Sequence, residues 1–270
     1  MTETTFIMSS YAVPVNYSPG LNQVILRDLR GHQEQAVEGT GTLDALLLLD
    51  GLLLRMQDGK LPCKPPELAT ADRDRLLAAI YKRTYLDKIE SAITCEACQS
   101  AFDLDFSLDA LLTQLQPDKT LEGIARLDDG TFRLAGGVHF RLPTGEDELA
   151  VLGLSPDEAA HLLLKRCLLD GDLEQDTARM QEAMQVIAPL MDMDLAACCP
   201  ECGHQQWVHF NMQSFLLTAL LQEQSQLAWE VHRLASAYQW SLNEILDLPR
   251  RLRRAYVRMI DVEMETPLYR

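Results

Sequence analysis

Cys95-Glu-Ala-Cys98 and Cys199-Pro-Glu-Cys202 are the two short stretches around which the chain is organised. Each is followed by a run of alternating apolar residues and then by a leucine-rich segment with helical spacing. Set in register at an offset of 104 residues, the two copies align more than their cysteines. Phe106 falls on Phe210, Leu108 on Met212 and Leu112 on Leu216. Upstream, Arg75 matches Arg179, Leu76 Met180, Ile80 Met184, Leu86 Leu190 and Ile89 Met193. A helix, knuckle, strand and helix are therefore expected twice.

A CxxC turn lets two thiolates grip one ion while the intervening amides point at the sulfurs. Two such turns supply the tetrahedral four-thiolate set of a structural zinc site, with Cys95, Cys98, Cys199 and Cys202 as ligands. The 100 residues between the pairs are many for a zinc ribbon. Duplication accounts for them: two facing knuckle hairpins each contribute two ligands. Gly203, just after the second pair, permits a left-handed turn; Gln99 stands there in the first, which makes it the weaker knuckle. Cys198 adjoins Cys199 as a competing ligand, and His204 or His209 are alternatives to a thiolate. A redox CxxC requires a thioredoxin-like βαβ unit, which the pattern lacks. Cys63 and Cys167 read as small apolar residues.

The chain has 270 residues, 47% of them hydrophobic, enough for one large domain or two ordinary ones. No run approaches the roughly 18–20 uncharged apolar residues of a membrane-spanning helix. Met1 to Asn16 carries no Lys or Arg and no long apolar run, so a cytosolic protein without a secretory signal is expected. Seven cysteines in that compartment argue for metal or buried thiols rather than disulfides. The net charge of −16 disfavours nucleic acid and anionic membranes as partners. Residues 214–270 hold seven Arg and seven acids, so the surplus lies before Ser214.

Pro and Gly break up residues 1–42, leaving Val24-Ile25-Leu26 as the one strand expected in an extended arm or an edge-packing segment, not a core. Leu43 to Met56 reads as a helix interrupted by Gly51 and buried on more than one face. Thr70 is the expected N-cap of a helix running to Ile89, with Asp72 and Asp74 in its first turn. Asp129-Gly130 marks a hairpin within 121–142. Ser155-Pro156-Asp157-Glu158 is a capping-box helix start. Another helix, Asp176 to Leu190, leads into the second knuckle. A long helix is expected from Ser214, a short capped one from Ser241 and a last one after Pro249. Arg250, Arg251, Arg253, Arg254 and Arg258 crowd that last helix, and their face is expected to meet carboxylates of this chain or of a partner. The fold class expected is thus α+β and mainly helical. It has two related helix–Cys knuckle–hairpin–helix units, zinc-ribbon-like, plus C-terminal helices. Its segments are 1–42, 43–120, 121–213 and 214–270.

No phosphate loop, HExxH or nucleophile elbow appears. The acids Asp103, Asp105, Asp128 and Asp129 belong to exposed strand and turn positions, and a closed zinc site has no place for a reacting water. A non-enzymatic protein without a small-molecule substrate is the expectation.

Several segments of the second half carry a resemblance. The Cys199-to-Gly203 knuckle, Glu230-Val-His232-Arg-Leu234-Ala, Tyr238-Gln-Trp240-Ser241 and Ile245-Leu-Asp-Leu-Pro249-Arg-Arg resemble proteins encoded beside contractile phage tails and phage-tail-like injection systems. Phe140-Arg-Leu-Pro143-Thr-Gly, followed by the capped helix and the knuckle, is similar to the T4-type baseplate hub assembly chaperone family. The resemblance covers residues 138–262 best and 43–112 more faintly; CEACQ departs from it in lacking the Pro and Gly of the second knuckle. It implies an accessory role in building a baseplate or its hub. Trp229, Tyr238 and Trp240 are then candidate anchors for baseplate or hub partners, with Arg250, Arg251 and Arg254 beside them; core packing is the other reading of those aromatics. A permanent baseplate component and a zinc-ribbon nucleic-acid binder are the alternatives.

Overall fold

The repeat at 104 residues is a repeat of elements. The computed structural model describes residues 10–54, 63–116 and 123–265. The chain runs through β1 (Ser10–Pro14), β2 (Gln23–Arg27), α1 (Gly31–Gln35), α2 (Thr42–Leu52) and a 3₁₀ turn (Pro65–Glu67). Next come α3 (Thr70–Tyr85), β3 (Lys88–Thr94), β4 (Ala101–Ser107), α4 (Leu108–Gln114), β5 (Ile124–Arg126), β6 (Phe132–Leu134) and β7 (His139–Phe140). The middle of the chain holds α5 (Gly145–Ala150), α6 (Pro156–Cys167), β8 (Leu168–Asp170) and α7 (Leu173–Ile187). β9 (Asp192–Cys198), β10 (Gln205–Asn211), α8 (Met212–Gln222), α9 (Gln224–Tyr238), α10 (Leu242–Leu246) and α11 (Arg250–Glu265) complete it. Among the described residues the fold is α+β, with helices around small antiparallel sheets. No helix there is long and apolar enough to cross a membrane.

Two compact units form, and each gathers distant parts of the sequence. Residues 13–24, 63–116 and 123–213 make one; 10–12, 25–54 and 214–265 make the other. These units cut across the segments expected from sequence. The arm is corrected in particular: Val13, Val15, Tyr17, Val24, Leu26, Leu29 and Val37 are all buried core residues. Its breaks in periodicity mark short elements packed on distant ones, not an absence of core.

In the first unit, the β3–β4 ladder runs from Lys88 opposite Ser107 to Thr94 opposite Ala101. The β9–β10 ladder runs from Asp192 opposite Asn211 to Cys198 opposite Gln205. Every strand boundary of the first hairpin recurs 104 residues later, and α4 and α8 open at Leu108 and Met212 on the same offset. Phe106 and Phe210, matched in the repeat, meet edge to face at 5.2 Å. Between the copies lies a four-stranded sheet, β5-β6-β7-β8. Gly130 turns the expected hairpin at φ +83, but as the left-handed last position of a three-residue loop closed by the Leu127 and Thr131 backbone, not in a two-residue Asp-Gly turn. β8 was not legible, because it follows α6 without a break and Leu168 pairs with Phe140.

Several helix ends differ from expectation. Ala69, not Thr70, is the N-cap of α3, and the Thr70 hydroxyl donates to the Pro143 carbonyl. Asp72 is fully buried and accepts from the amides of Asn16, Tyr17 and Ser18 and from the Ser18 hydroxyl. Its role is to tie a distant loop, a stronger demand on a carboxylate than the helix dipole. α2 passes through Gly51 and stops at Leu52; Arg55 and Met56 lie outside the described residues. The long helix expected from Ser214 is two, α8 and α9, divided at Glu223. The capping boxes at Ser155 and Ser241 form as expected.

In the second unit, α1 packs against α2, α9 and α10, and α11 against α9. Gly31 makes the approach possible: a Cβ there would lie 2.9 Å from the Leu246 Cα and 2.5 Å from its Cδ2.

Candidate metal centre

Both knuckles are built by the same local bonds. In the first, the Cys95 amide donates to the Ser100 carbonyl at 2.9 Å and the Gln99 amide to the Cys95 carbonyl at 3.0 Å. In the second, the Cys199 amide donates to the His204 carbonyl at 2.8 Å and the Gly203 amide to the Cys199 carbonyl at 2.9 Å. Gly203 closes its turn at φ +72 and Gln99 at φ +61. Gln99 thus takes the left-handed conformation that glycine takes without strain. The first knuckle is not weaker in form; it carries a conformational cost the second avoids.

The four cysteine sulfurs all lie within 4.8 Å of one another. Cys95 and Cys202 are 3.6 Å apart, Cys98 and Cys199 3.7 Å. The closest pairs therefore join one knuckle to the other. All four are free thiols. A tetrahedron with metal–sulfur bonds of about 2.3 Å has edges of about 3.8 Å, so the donor set fits a single four-thiolate ion. The leading cysteine of each pair, Cys95 and Cys199, is buried, and the trailing one, Cys98 and Cys202, is exposed. Phe102 and Ala197 pack on the buried pair, with Ile93, Leu104 and Val208 around them.

The sulfurs do not share protons evenly. Hydrogen bonds from the Ser100 hydroxyl and amide pull the Cys98 thiol down to about 6. The His204 amide favours the Cys202 thiolate, but the neighbouring Cys98 sulfur, desolvation and the other thiols push it up to about 12. Four thiolates this close repel, and a dication is the group that relieves that repulsion.

Gln206, unmarked in the sequence, joins the two knuckles. Its side-chain oxygen accepts from the Glu96 amide at 3.0 Å and its amide donates to the Thr94 carbonyl at 3.2 Å. Of the alternative ligands, Cys198 is exposed and its sulfur lies 3.7 Å from the Gly203 carbonyl. His209 is exposed and pairs with Asp192 and Asp194 at 3.0 and 3.1 Å. Neither His204 nor His209 belongs to the cluster.

The expected partner surface divides. Trp229 and Tyr238 are exposed, whereas Trp240 and Tyr256 pack against the core of Leu234, Ile245, Val257 and Ile260; the rings of Tyr238, Trp240 and Tyr256 lie 4.8, 5.3 and 5.9 Å from one another. Arg250 requires correction: it is buried and donates to Glu34 at 2.9 Å and to Glu223. Arg253, fully buried, donates to Glu34 at 2.7 Å and Glu230 at 2.6 Å. Arg254, partly exposed, bonds Glu230 and Glu223, both at 3.1 Å. The carboxylates met by this face are the chain's own; Arg251 points outward.

No protein-family profile, curated protein or solved structure matches this chain.

Proposed function

We propose that this protein is a non-enzymatic assembly factor, held in shape by one structural zinc ion on Cys95, Cys98, Cys199 and Cys202. The carrying observation is the meeting of four sulfurs from two duplicated hairpins within 4.8 Å. All-thiolate tetrahedral sets select zinc or iron, and a closed set gives an ion no open position for catalysis. Zinc here acts on folding: the binding free energy of a structural site, about 10–16 kcal/mol in small domains, is folding free energy. It pins the first hairpin to the second and makes a zinc-ribbon-like pair from the duplicated units. Cytosolic conditions, which keep thiols reduced, suit such a site.

The likeness of residues 138–262 to the T4-type baseplate hub assembly chaperones gives this scaffold a role, the escort of a baseplate or hub protein of a contractile tail or injection machine. A −16 charge supports protein rather than nucleic-acid clients. The test has two arms. Purified protein is expected to be colourless and to hold about one zinc per chain; iron-type absorbance overturns the zinc assignment. In a host with an intact tail cluster, the factor is expected to co-purify with assembly intermediates and to be missing from finished particles. Its stoichiometric presence in finished particles overturns the chaperone reading.

A further inference from the structure

An apolar groove of about 850 Å³ lies between α6 and α7, in the unit that carries the cysteines. Leu163 and Leu164 of α6 face Ala178 and Met184 of α7, and Leu142 and Leu190 extend the lining. Among the described residues, the ionisable side chains that line the groove are acidic, Glu182 and Asp192. None of these residues belongs to the cysteine site.

The repeat bears on what this face does. At the 104-residue offset, the α7 wall positions 178, 181, 182, 184 and 185 correspond to Asp74, Leu77, Ala78, Ile80 and Tyr81 of α3. All five of those α3 residues are buried, the most exposed at 6%. Their α7 counterparts are exposed or half-buried. A face that the chain covers for itself in one copy is left open in the other. Glutamine and glutamate at 181, 182 and 185, in place of Leu77, Ala78 and Tyr81, let it stand in water between dockings.

Charge identifies the occupant. Residues 13–24 and 63–213 contain 26 acidic and 13 basic residues, so this unit bears −13 of the −16. An acidic unit around an apolar slot attracts and orients a cationic partner and repels an anionic one. We propose that the α6–α7 groove docks an amphipathic segment of another protein, whose apolar side chains fill the slot and whose flanking Lys or Arg meet Glu182 and Asp192. This is the helix-in-groove mode of recognition. It gives the assembly role a client chemistry without depending on which machine the client belongs to.

The probe is a fluorescent Leu–Lys amphipathic peptide of about 14 residues, long enough for a helix on a surface, titrated with full-length protein and followed by anisotropy. A Leu–Glu peptide of the same pattern is the control. The Leu–Lys peptide is expected to bind and the Leu–Glu peptide to fail. Ala178→Leu, which fills the groove from an exposed position, is expected to weaken binding about tenfold. Glu182→Lys is expected to weaken it about fivefold, whereas the same charge change at exposed Asp103 leaves it within about twofold. Equal loss from Asp103→Lys and Glu182→Lys, or no effect of Ala178→Leu in a variant with an unchanged melting curve, overturns the proposal. So does concentration-dependent dimerisation in sedimentation that Ala178→Leu abolishes, since the occupant is then a second copy. No arm involves a tail protein, so its failure is separable from failure of the chaperone reading.

Discussion

Gln206 accepts the Glu96 N–H at 3.0 Å across the two knuckles, and the pseudo-equivalent pair is Phe102 and Pro200. The substitution is reciprocal. Pro200 has no amide hydrogen to satisfy, so its side needs no acceptor and Phe102 is free to pack on the buried sulfurs. Gln206→Ala is expected to leave the Glu96 amide and the Thr94 carbonyl without this partner and to cost about 1–3 kcal/mol, read as a lower urea midpoint of the zinc-loaded protein. An unchanged midpoint would show that water replaces the glutamine without loss.

Chelation should act on folding and not merely on occupancy. Because the closest sulfur pairs join different hairpins, an ion held by them would tie one copy to the other. A high-affinity chelator is expected to lower the melting temperature and broaden the transition. Cys199→Ser and Cys202→Ser should each lose zinc and melt like the chelated wild type, with no further response to chelator. A chelator-sensitive melt in either serine variant would be incompatible with a four-sulfur site.

The arginine helix offers a separate test. Glu34 is 3% exposed and accepts from both Arg250 and Arg253. Glu34→Gln leaves two buried guanidinium groups short of their counter-charge and is expected to cost about 3–5 kcal/mol. Glu34→Leu combined with Arg253→Met removes charge from both sides, and the double variant is expected to be more stable than the sum of the single changes predicts. Additive losses in chemical denaturation would mean that the two side chains are not coupled.

What the sequence makes legible follows from where each signal lives. Spacing within the chain exposed the duplicated hairpins, because strand alternation and CxxC turns are local patterns that recur at a fixed offset. The five arginines near the C-terminus were visible as a face, but their partners were not. Glu34 sits 216 residues before Arg250, in a stretch whose Pro and Gly suggested an arm. Asp72 misled in the same way: an acid in a first helical turn fits the dipole, and nothing local reveals three loop amides converging on it. Gln206 shows the limit most clearly. In an alternating strand it reads as any polar position; only the missing N–H of Pro200, compared across the repeat, marks it.

Two buried aspartates of the same unit should respond to pH in opposite directions. Burial pushes the Asp74 carboxyl up to about 6, against the opposing pull of Arg73 and the Met191 amide. The folded state then holds the Asp74 proton more tightly than the unfolded state, whose value is about 3.9. Stability contributed at this site is greatest below that value and declines as pH rises to about 6, a loss of about 3 kcal/mol by neutral pH. For Asp147, burial also favours the acid, but hydrogen bonds from Arg141, the Thr144 amide and Arg166 outweigh it and hold the carboxyl well below the usual range. Its stabilisation is present above the unfolded value and is lost as pH falls through the folded one. Asp74→Asn, whose carboxamide oxygen can still accept the Met191 N–H now 3.0 Å from the carboxylate, is expected to raise stability at pH 7 and flatten the profile between pH 4 and 6. Asp147→Asn is expected to lower stability at pH 7 by about 2 kcal/mol, since Arg141 and Arg166 are partly solvated, and to remove part of the acid-side loss. Urea midpoints of the three proteins from pH 4 to 8 decide it. Profiles for wild type and Asp74→Asn that run parallel across that range would place the Asp74 proton exchange outside it.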